Sequence, residues 1–291
     1  MSIGRFNFKS QSIGRWADIT ITYPTTALSY YDTEKGYRHH DKFLSSSKFI
    51  YRPGMKFQTV YLIHGGGDDD TLPYRYTNVE RYAERNNIML VTPNIANSFG
   101  VNTNYGVDYS TFITEELPVI IQSLFASSPK REDNFIVGYA MGGNAALGSA
   151  LTHPGLYSVC VDMSGGIGLT LNTETLKAEL EGEHFRNDFP LVNATFGEAA
   201  DLEASRHNLR AIAQKNIDCG TEAPKFYFIA GSEEGFIRDR VKDDADIMKK
   251  IGYDATYICA EGYKHGFPLW DKYLAIVFDE ILPLKRAPLY Y

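Results

Sequence analysis

The stretch Gly138-Tyr139-Ala140-Met141-Gly142 constrains this chain more than any other part of it. It follows a short β-rich run, Phe135-Ile136-Val137, and leads into an alanine-rich helical stretch from Gly143 to Leu151. Glycines two positions either side of a central residue are what a sharp strand-to-helix turn needs, since the chain doubles back with no room for side chains. In the G-x-S-x-G form of this turn, a serine oxygen stands exposed over the sheet edge. Here the centre is Ala140, which differs from serine by that one oxygen. The pattern predicts a scaffold built to present a nucleophile, with the nucleophile missing.

The segments around the turn alternate in type. Ala17 to Tyr23 alternates at strand period and stops at Pro24. Phe57 to Ile63 is a β-rich run ending in His64-Gly65-Gly66-Gly67, and a helical stretch from Asn78 to Asn86 precedes the strand Ile88 to Val91. From Asp108 to Leu124, apolar residues recur at helical spacing. Further strands are expected at Tyr157 to Met163, Phe226 to Ala230 and Ala255 to Cys259. A helix from about Ile237 to Ile251 separates the last two, and a final one opens at Pro268 and runs to about Leu282. Strand and helix in alternation imply an α/β fold, a mostly parallel sheet covered on both faces. The region from about 165 to 218 breaks this rhythm with charge and helix formers, and is expected to be a cap insertion in a single domain spanning 1–291.

Composition removes several function classes. A net charge of −7 argues against nonspecific binding to nucleic acid or an anionic membrane. No window approaches the roughly 18 apolar residues of a membrane span, and MSIGRFNFKSQ lacks an apolar signal core, so a cytoplasmic protein is expected. Cys160, Cys219 and Cys259 have no metal-type spacing; Cys160 and Cys259 sit in strand-like runs and are expected to be buried thiols. His39-His40 has no carboxylate or histidine at helical spacing, and Asp68-Asp69-Asp70 is expected to be a solvated loop, so neither a metal nor a cofactor is expected. A homo-oligomer is left open.

Acyl transfer needs a nucleophile, a base, an acid that orients the base, and donors for the oxyanion. His265, in Glu261-Gly262-Tyr263-Lys264-His265-Gly266, lies after the last strand and before the last helix, where a base belongs when the chain order is nucleophile, acid, histidine. The acid should follow the strand at 226 to 230. Glu234 is the first choice there, with Glu233 and then Asp239 as alternatives. Gly65 and Gly66 would let the backbone approach a substrate oxygen, one of their amides pairing with that of Met141. His64 is expected to be structural. Tyr139, Phe99, Tyr105 and Trp270 lie near the expected edge and are candidates to line the substrate pocket.

Several stretches together resemble one group of proteins: YLIHGGG at 61–67, TNVERYAERNNIMLVTPN at 77–94, NTNYGVDYSTFITEELP at 102–118, FIVGYAMGG at 135–143 and YKHGFPLWDKY at 263–273. Over roughly residues 6–282 the chain resembles the esterase D / tributyrin esterase group of α/β-hydrolases, which includes cinnamoyl (feruloyl) esterases. The resemblance implies the α/β-hydrolase fold, a small-molecule ester substrate, Ala140 at the serine position and His265 as base. It puts Glu234 where the group usually has aspartate. Formylglutathione hydrolases are related, but the cysteine-bearing loop common after their first oxyanion glycines is not seen in HGGGDDD, which sets the thioesterase reading behind the ester one.

Two functions compete for such a chain. One is a serine carboxylesterase, for short-chain acyl or hydroxycinnamoyl esters, inactive here because alanine replaces serine at 140. The other is a natural pseudoenzyme that binds an ester or carbohydrate ligand without cleaving it. The intact glycines, His265 and acid loop favour the first.

Overall fold

The computed structural model describes residues 1–24, 53–169, 192–197 and 206–291. Eight strands form one sheet: β1 (Ser2–Lys9), β2 (Trp16–Tyr23), β3 (Thr59–Ile63), β4 (Met89–Pro93), β5 (Asn134–Tyr139), β6 (Val159–Met163), β7 (Lys225–Gly231) and β8 (Ala255–Ala260). Their spatial order is β1-β2-β4-β3-β5-β6-β7-β8. The β1–β2 and β2–β4 pairs are antiparallel, and every other pair is parallel. This is the α/β-hydrolase architecture that the alternation and the resemblance imply.

Every residue of β3 to β6 is buried, which is why these strands are short apolar runs rather than half-polar alternations. Successive side chains feed opposite cores. Tyr61, Ile63 and Ile136 pack on one face with helices α4 (Met141–Thr152), α6 (Leu209–Asp218) and α7 (Phe236–Ile251). Val60, Leu62, Phe135 and Val137 pack on the other with α2 (Val79–Arg85) and α8 (Phe267–Ile276). The remaining labelled helices are α1 (Leu72–Tyr76), α3 (Leu117–Leu124) and α5 (Val192–Phe196).

The structure departs from the sequence expectations in three places. β1 and α1 were not expected; β1 is an edge strand with an irregular pattern of exposure, so its periodicity is weak. The helix expected over 108–124 contains a π-helical turn at Phe112–Glu116. Pro118 has no N–H for the Thr114 carbonyl, and the wider turn relieves the clash of its ring with that carbonyl. Cys160 is buried, but Cys259 is exposed, because β8 is the far edge of the sheet. His39-His40 and residues 170–191 and 198–205 of the expected cap lie outside the described residues.

Candidate active site

β5 ends at Tyr139 and α4 begins at Met141, so Ala140 alone makes the turn, at φ 49° and ψ −126°. Left-handed φ is strained for any residue with a Cβ, and neighbouring atoms hold it there. A Cβ on Gly138 would lie 1.9 Å from the Gly142 carbonyl oxygen, and one on Gly142 would lie 2.2 Å from that of Ile63. Both contacts are with backbone, which cannot step aside. The Ala140 amide donates to the Met163 carbonyl at 2.8 Å, and its own carbonyl accepts from Gly143 at 2.9 Å.

Ala140 opens onto a cavity of about 580 Å³ whose lining includes Gly65, Gly66, Met141 and His265. His265 follows β8, and Glu234 follows β7. The imidazole Nδ1 and Glu234 Oε1 are 2.7 Å apart, with the Glu234 side chain fully buried and His265 part-exposed. With Glu234 ionised, Nδ1–H donates and Nε2 keeps its lone pair. The additional methylene of glutamate is accommodated by folding the side chain back on its own loop. Oε2 accepts the Gly231 amide at 2.6 Å, three residues upstream. A side chain on Gly231 would lie 2.2 Å from the Tyr263 carbonyl oxygen and 3.2 Å from Glu234 Cγ, so this loop also depends on glycine. Glu233 is half-exposed, with a carboxylate oxygen 3.9 Å from Lys264 Nζ, and Asp239 is bound to Arg238 within α7. Neither of these alternatives touches His265 among the described residues.

His64 orders the loop on the other side. It is fully buried, Ile95 N–H donates to its Nε2 at 3.0 Å, and its Nδ1 lies 2.8 Å from the Gly65 carbonyl. Those partners select the neutral Nδ1–H tautomer, and burial lowers the pKa in the same sense. The Gly65 carbonyl is thereby turned toward His64. Because the peptide is planar and trans, the Gly66 N–H points the opposite way. Met141, the first residue of α4, has an amide with no intrahelical acceptor. A Cβ on Gly65 would meet that of Ala140 at 3.2 Å, so the loop can come this close only without a side chain.

The four candidate pocket residues divide evenly. Phe99 and Trp270 line the cavity. Trp270 stacks on Tyr139, meets the His265 ring edge-on at 5.0 Å, and donates Nε1–H to Ser164 Oγ at 3.3 Å. Tyr139 and Tyr105 do not line it. Tyr139 is the last residue of β5, and strand alternation sends its ring into the core beneath the loop, where its hydroxyl donates to Asp68 at 3.0 Å. Tyr105 is about half exposed, outside the cavity.

Residues that sequence reasoning missed also contribute. Asp68 lines the cavity, and burial raises its pKa against the hydrogen bond from Tyr139. Asn144, one turn into α4, donates to the Gly165 carbonyl at 2.7 Å and accepts from the Ile167 and Gly168 amides at 3.1 and 2.8 Å. Its partners lie more than twenty residues away, so no local pattern announces them. Ser164, the residue after β6, has φ 62° and follows the Tyr139–Met163 pair, as Ala140 does on the neighbouring strand. Among the described residues no group of three or more His, Cys, Asp or Glu could hold a metal ion, and no helix is long and apolar enough to cross a membrane.

Comparison with known proteins bears on the fold and the family. An acetyl esterase of Caldicellulosiruptor saccharolyticus is 24% identical over 245 residues, covering 79% of this chain and 88% of its own. The solved structure of FphF, a fluorophosphonate-binding serine hydrolase of Staphylococcus aureus, superposes with a TM-score of 0.78 at 22% identity, over 97% of this chain and 98% of that one. S-formylglutathione hydrolase (FrmB) of the same organism gives 0.74 at 23%, over 97% and 100%. At such identities the two structures show a shared fold. The family model described as putative esterase matches residues 47–268, which include the turn, the glycine loop, Glu234 and His265, and the chain belongs to that family.

Proposed function

We propose that the chain is a serine carboxylesterase scaffold that, as written, binds its ester and leaves it uncleaved. The observation that carries this reading is the His265–Glu234 hydrogen bond, beside the same cavity onto which a strained Ala140 opens. The site lacks one oxygen of the set that two-step acyl transfer needs.

With serine at 140, its Oγ would attack the ester carbonyl while His265 Nε2 takes the proton. Glu234 would hold the tautomer and stabilise the imidazolium, and the amides of Met141 and Gly66 would receive the oxyanion. His265 then gives its proton to the departing alcohol. Water activated by the same nitrogen releases the acid. Loss of the serine from such a triad costs on the order of 10⁶ in kcat, which is why turnover is not expected of Ala140. Short-chain acyl and hydroxycinnamoyl esters are the proposed substrates. An aromatic wall of Phe99, Phe267 and Trp270 accommodates either.

The test is Ala140→Ser, assayed beside the unchanged chain on p-nitrophenyl acetate, p-nitrophenyl butyrate and methyl ferulate. A gain of at least about 10³-fold is expected on one of them. A folded Ala140→Ser protein silent on all three would overturn the hydrolase reading and leave a binding protein.

A further inference from the structure

A second cavity, of about 210 Å³, lies alongside α4. It meets the first across Phe99, Asn144 and Ile167, which line both. Asn144 is held by three hydrogen bonds, so this shared wall has a fixed place one turn into the helix. Beyond it the floor is the face formed by Asn144, Gly148 and Thr152, spaced four apart. From Ala140 to Gly148 the helix rises about 12 Å.

Gly148 itself needs explaining. A glycine inside a helix is destabilising relative to alanine. Neither backbone nor packing demands it: its φ is not positive, and a Cβ would meet nothing nearer than Leu209, at 3.8 Å. What the bare backbone preserves is room in the cavity. Aromatic rings form the wall above, with Phe99 and Phe196 at 5.2 Å and His207 edge-on to Phe196 at 5.4 Å. Burial, with Arg206 adding to it, pushes the His207 pKa down to about 4, so it serves as a neutral ring. At the far end Glu115 lies beside His153, and Arg206 donates to the carbonyls of Asn102 and Thr103. A ligand carboxylate would face Glu115 and an ammonium would face Arg206. A neutral hydroxyl can pair with either.

We propose that this second cavity is the distal subsite of the ester-binding cleft, taking a hydroxyl-bearing ring carried about 10 Å from the ester carbonyl. The proposal rests on the esterase reading of the first cavity. The ring can belong to the acyl half or to the alcohol half of the ester.

Two probes with a reach of about 10 Å separate those sources: methyl 7-(4-hydroxyphenyl)heptanoate carries its ring on the acyl side, and 5-(4-hydroxyphenyl)pentyl acetate on the alcohol side. Calorimetric titration of the unchanged, non-cleaving chain should show binding of at least one. Gly148→Met, which fills the floor, should weaken that binding about tenfold or more, the scale on which added methylenes discriminate in a pocket. Phe196→Leu removes a wall instead and should also weaken it, so the test survives if Gly148→Met fails to fold. No binding of either probe, or undiminished binding to both Gly148→Met and Phe196→Leu, overturns the subsite. In the Ala140→Ser background, Gly148→Met should lower the selectivity for the ring ester over methyl acetate by a similar factor. If Ala140→Ser cleaves nothing while Gly148→Met still abolishes binding, the subsite stands and the hydrolase reading falls. If it cleaves both ring esters regardless of residue 148, the reverse holds.

Discussion

The turn at 138–143 and the loops carrying Glu234 and His265 border one cavity, but different forces hold them. At the turn, backbone packs on backbone: the Gly142 position touches the carbonyls of Ile63 and His64, and no side-chain hydrogen bond caps the start of α4. In the loops, geometry is a chain of hydrogen bonds, from the Gly231 amide to Glu234 and from Glu234 to the imidazole. A region held by shape can lose its chemical group and keep its form. A region held by its chemical groups cannot. This is why an alanine can sit at the apex of a turn whose surroundings are otherwise complete.

The largest expected effect tests the bonded side. In the Ala140→Ser protein, Glu234→Gln should lower kcat on p-nitrophenyl acetate by about 10⁴, as loss of the orienting carboxylate does in Ser-His-Asp triads. The amide cannot stabilise the imidazolium, and its NH₂ can select the wrong tautomer. A fall of less than about tenfold would mean that something other than Glu234 orients His265.

Next in size is the steric side. Gly142→Ala should cost about 3 kcal/mol or more in urea unfolding, because the clash is with backbone oxygens rather than a yielding side chain. A cost within about 1 kcal/mol would show that the turn can breathe, and the contrast would fail.

The same division governs how much was readable beforehand. Glycine spacing and strand–helix order are local, so the turn, the glycine loop and the positions of Glu234 and His265 were visible in the sequence. Chain order could not separate the adjacent Glu233 and Glu234; the hydrogen bonds of Glu234 to the Gly231 amide and to His265 are visible only in the fold. Tyr139 and Tyr105 were misplaced because nearness to a sheet edge in sequence does not say which way a ring points. Asn144 and the second cavity were invisible, since segments far apart in the chain, around Phe99, Asn144, Ile167 and Phe196, meet there.

Asp162 sharpens the comparison because it lies between the two regions. It is fully buried in β6; Oδ1 accepts the Gly165 amide at 2.8 Å, and Oδ2 has no hydrogen-bond partner among the described residues. Burial raises its pKa to about 7, and the nearby Glu234 charge adds to the rise. A carboxyl whose folded pKa lies above its unfolded value near 3.8 stabilises the fold fully at low pH. That contribution is lost as pH climbs from about 4 through about 7. Asp162→Asn should therefore be more stable than the unchanged chain at pH 8, by about 2 kcal/mol, and not at pH 4. His207 works in the opposite sense: its lowered pKa favours folding above about 6.5 and is lost as pH falls toward about 4. The difference between Asp162→Asn and the parent cancels that contribution. A pH-independent difference would show that Asp162 does not titrate in this range.

The smallest expected effect decides most directly whether shape holds the turn. If Gly138, Gly142 and the two backbone hydrogen bonds of Ala140 set its φ of 49°, then restoring the serine oxygen leaves the fold almost indifferent. The added hydroxyl faces the cavity, where water or His265 can satisfy it, and no buried atom is displaced. Ala140→Ser should change the unfolding free energy by less than about 1 kcal/mol while raising hydrolysis by orders of magnitude. A stabilisation well beyond that would mean that the hydroxyl helps to hold the turn together, and that the alanine chain carries a loosened site. A comparable destabilisation would mean that the alanine relieves strain at the apex. Near-equality would place the entire consequence of residue 140 in chemistry and none of it in the fold.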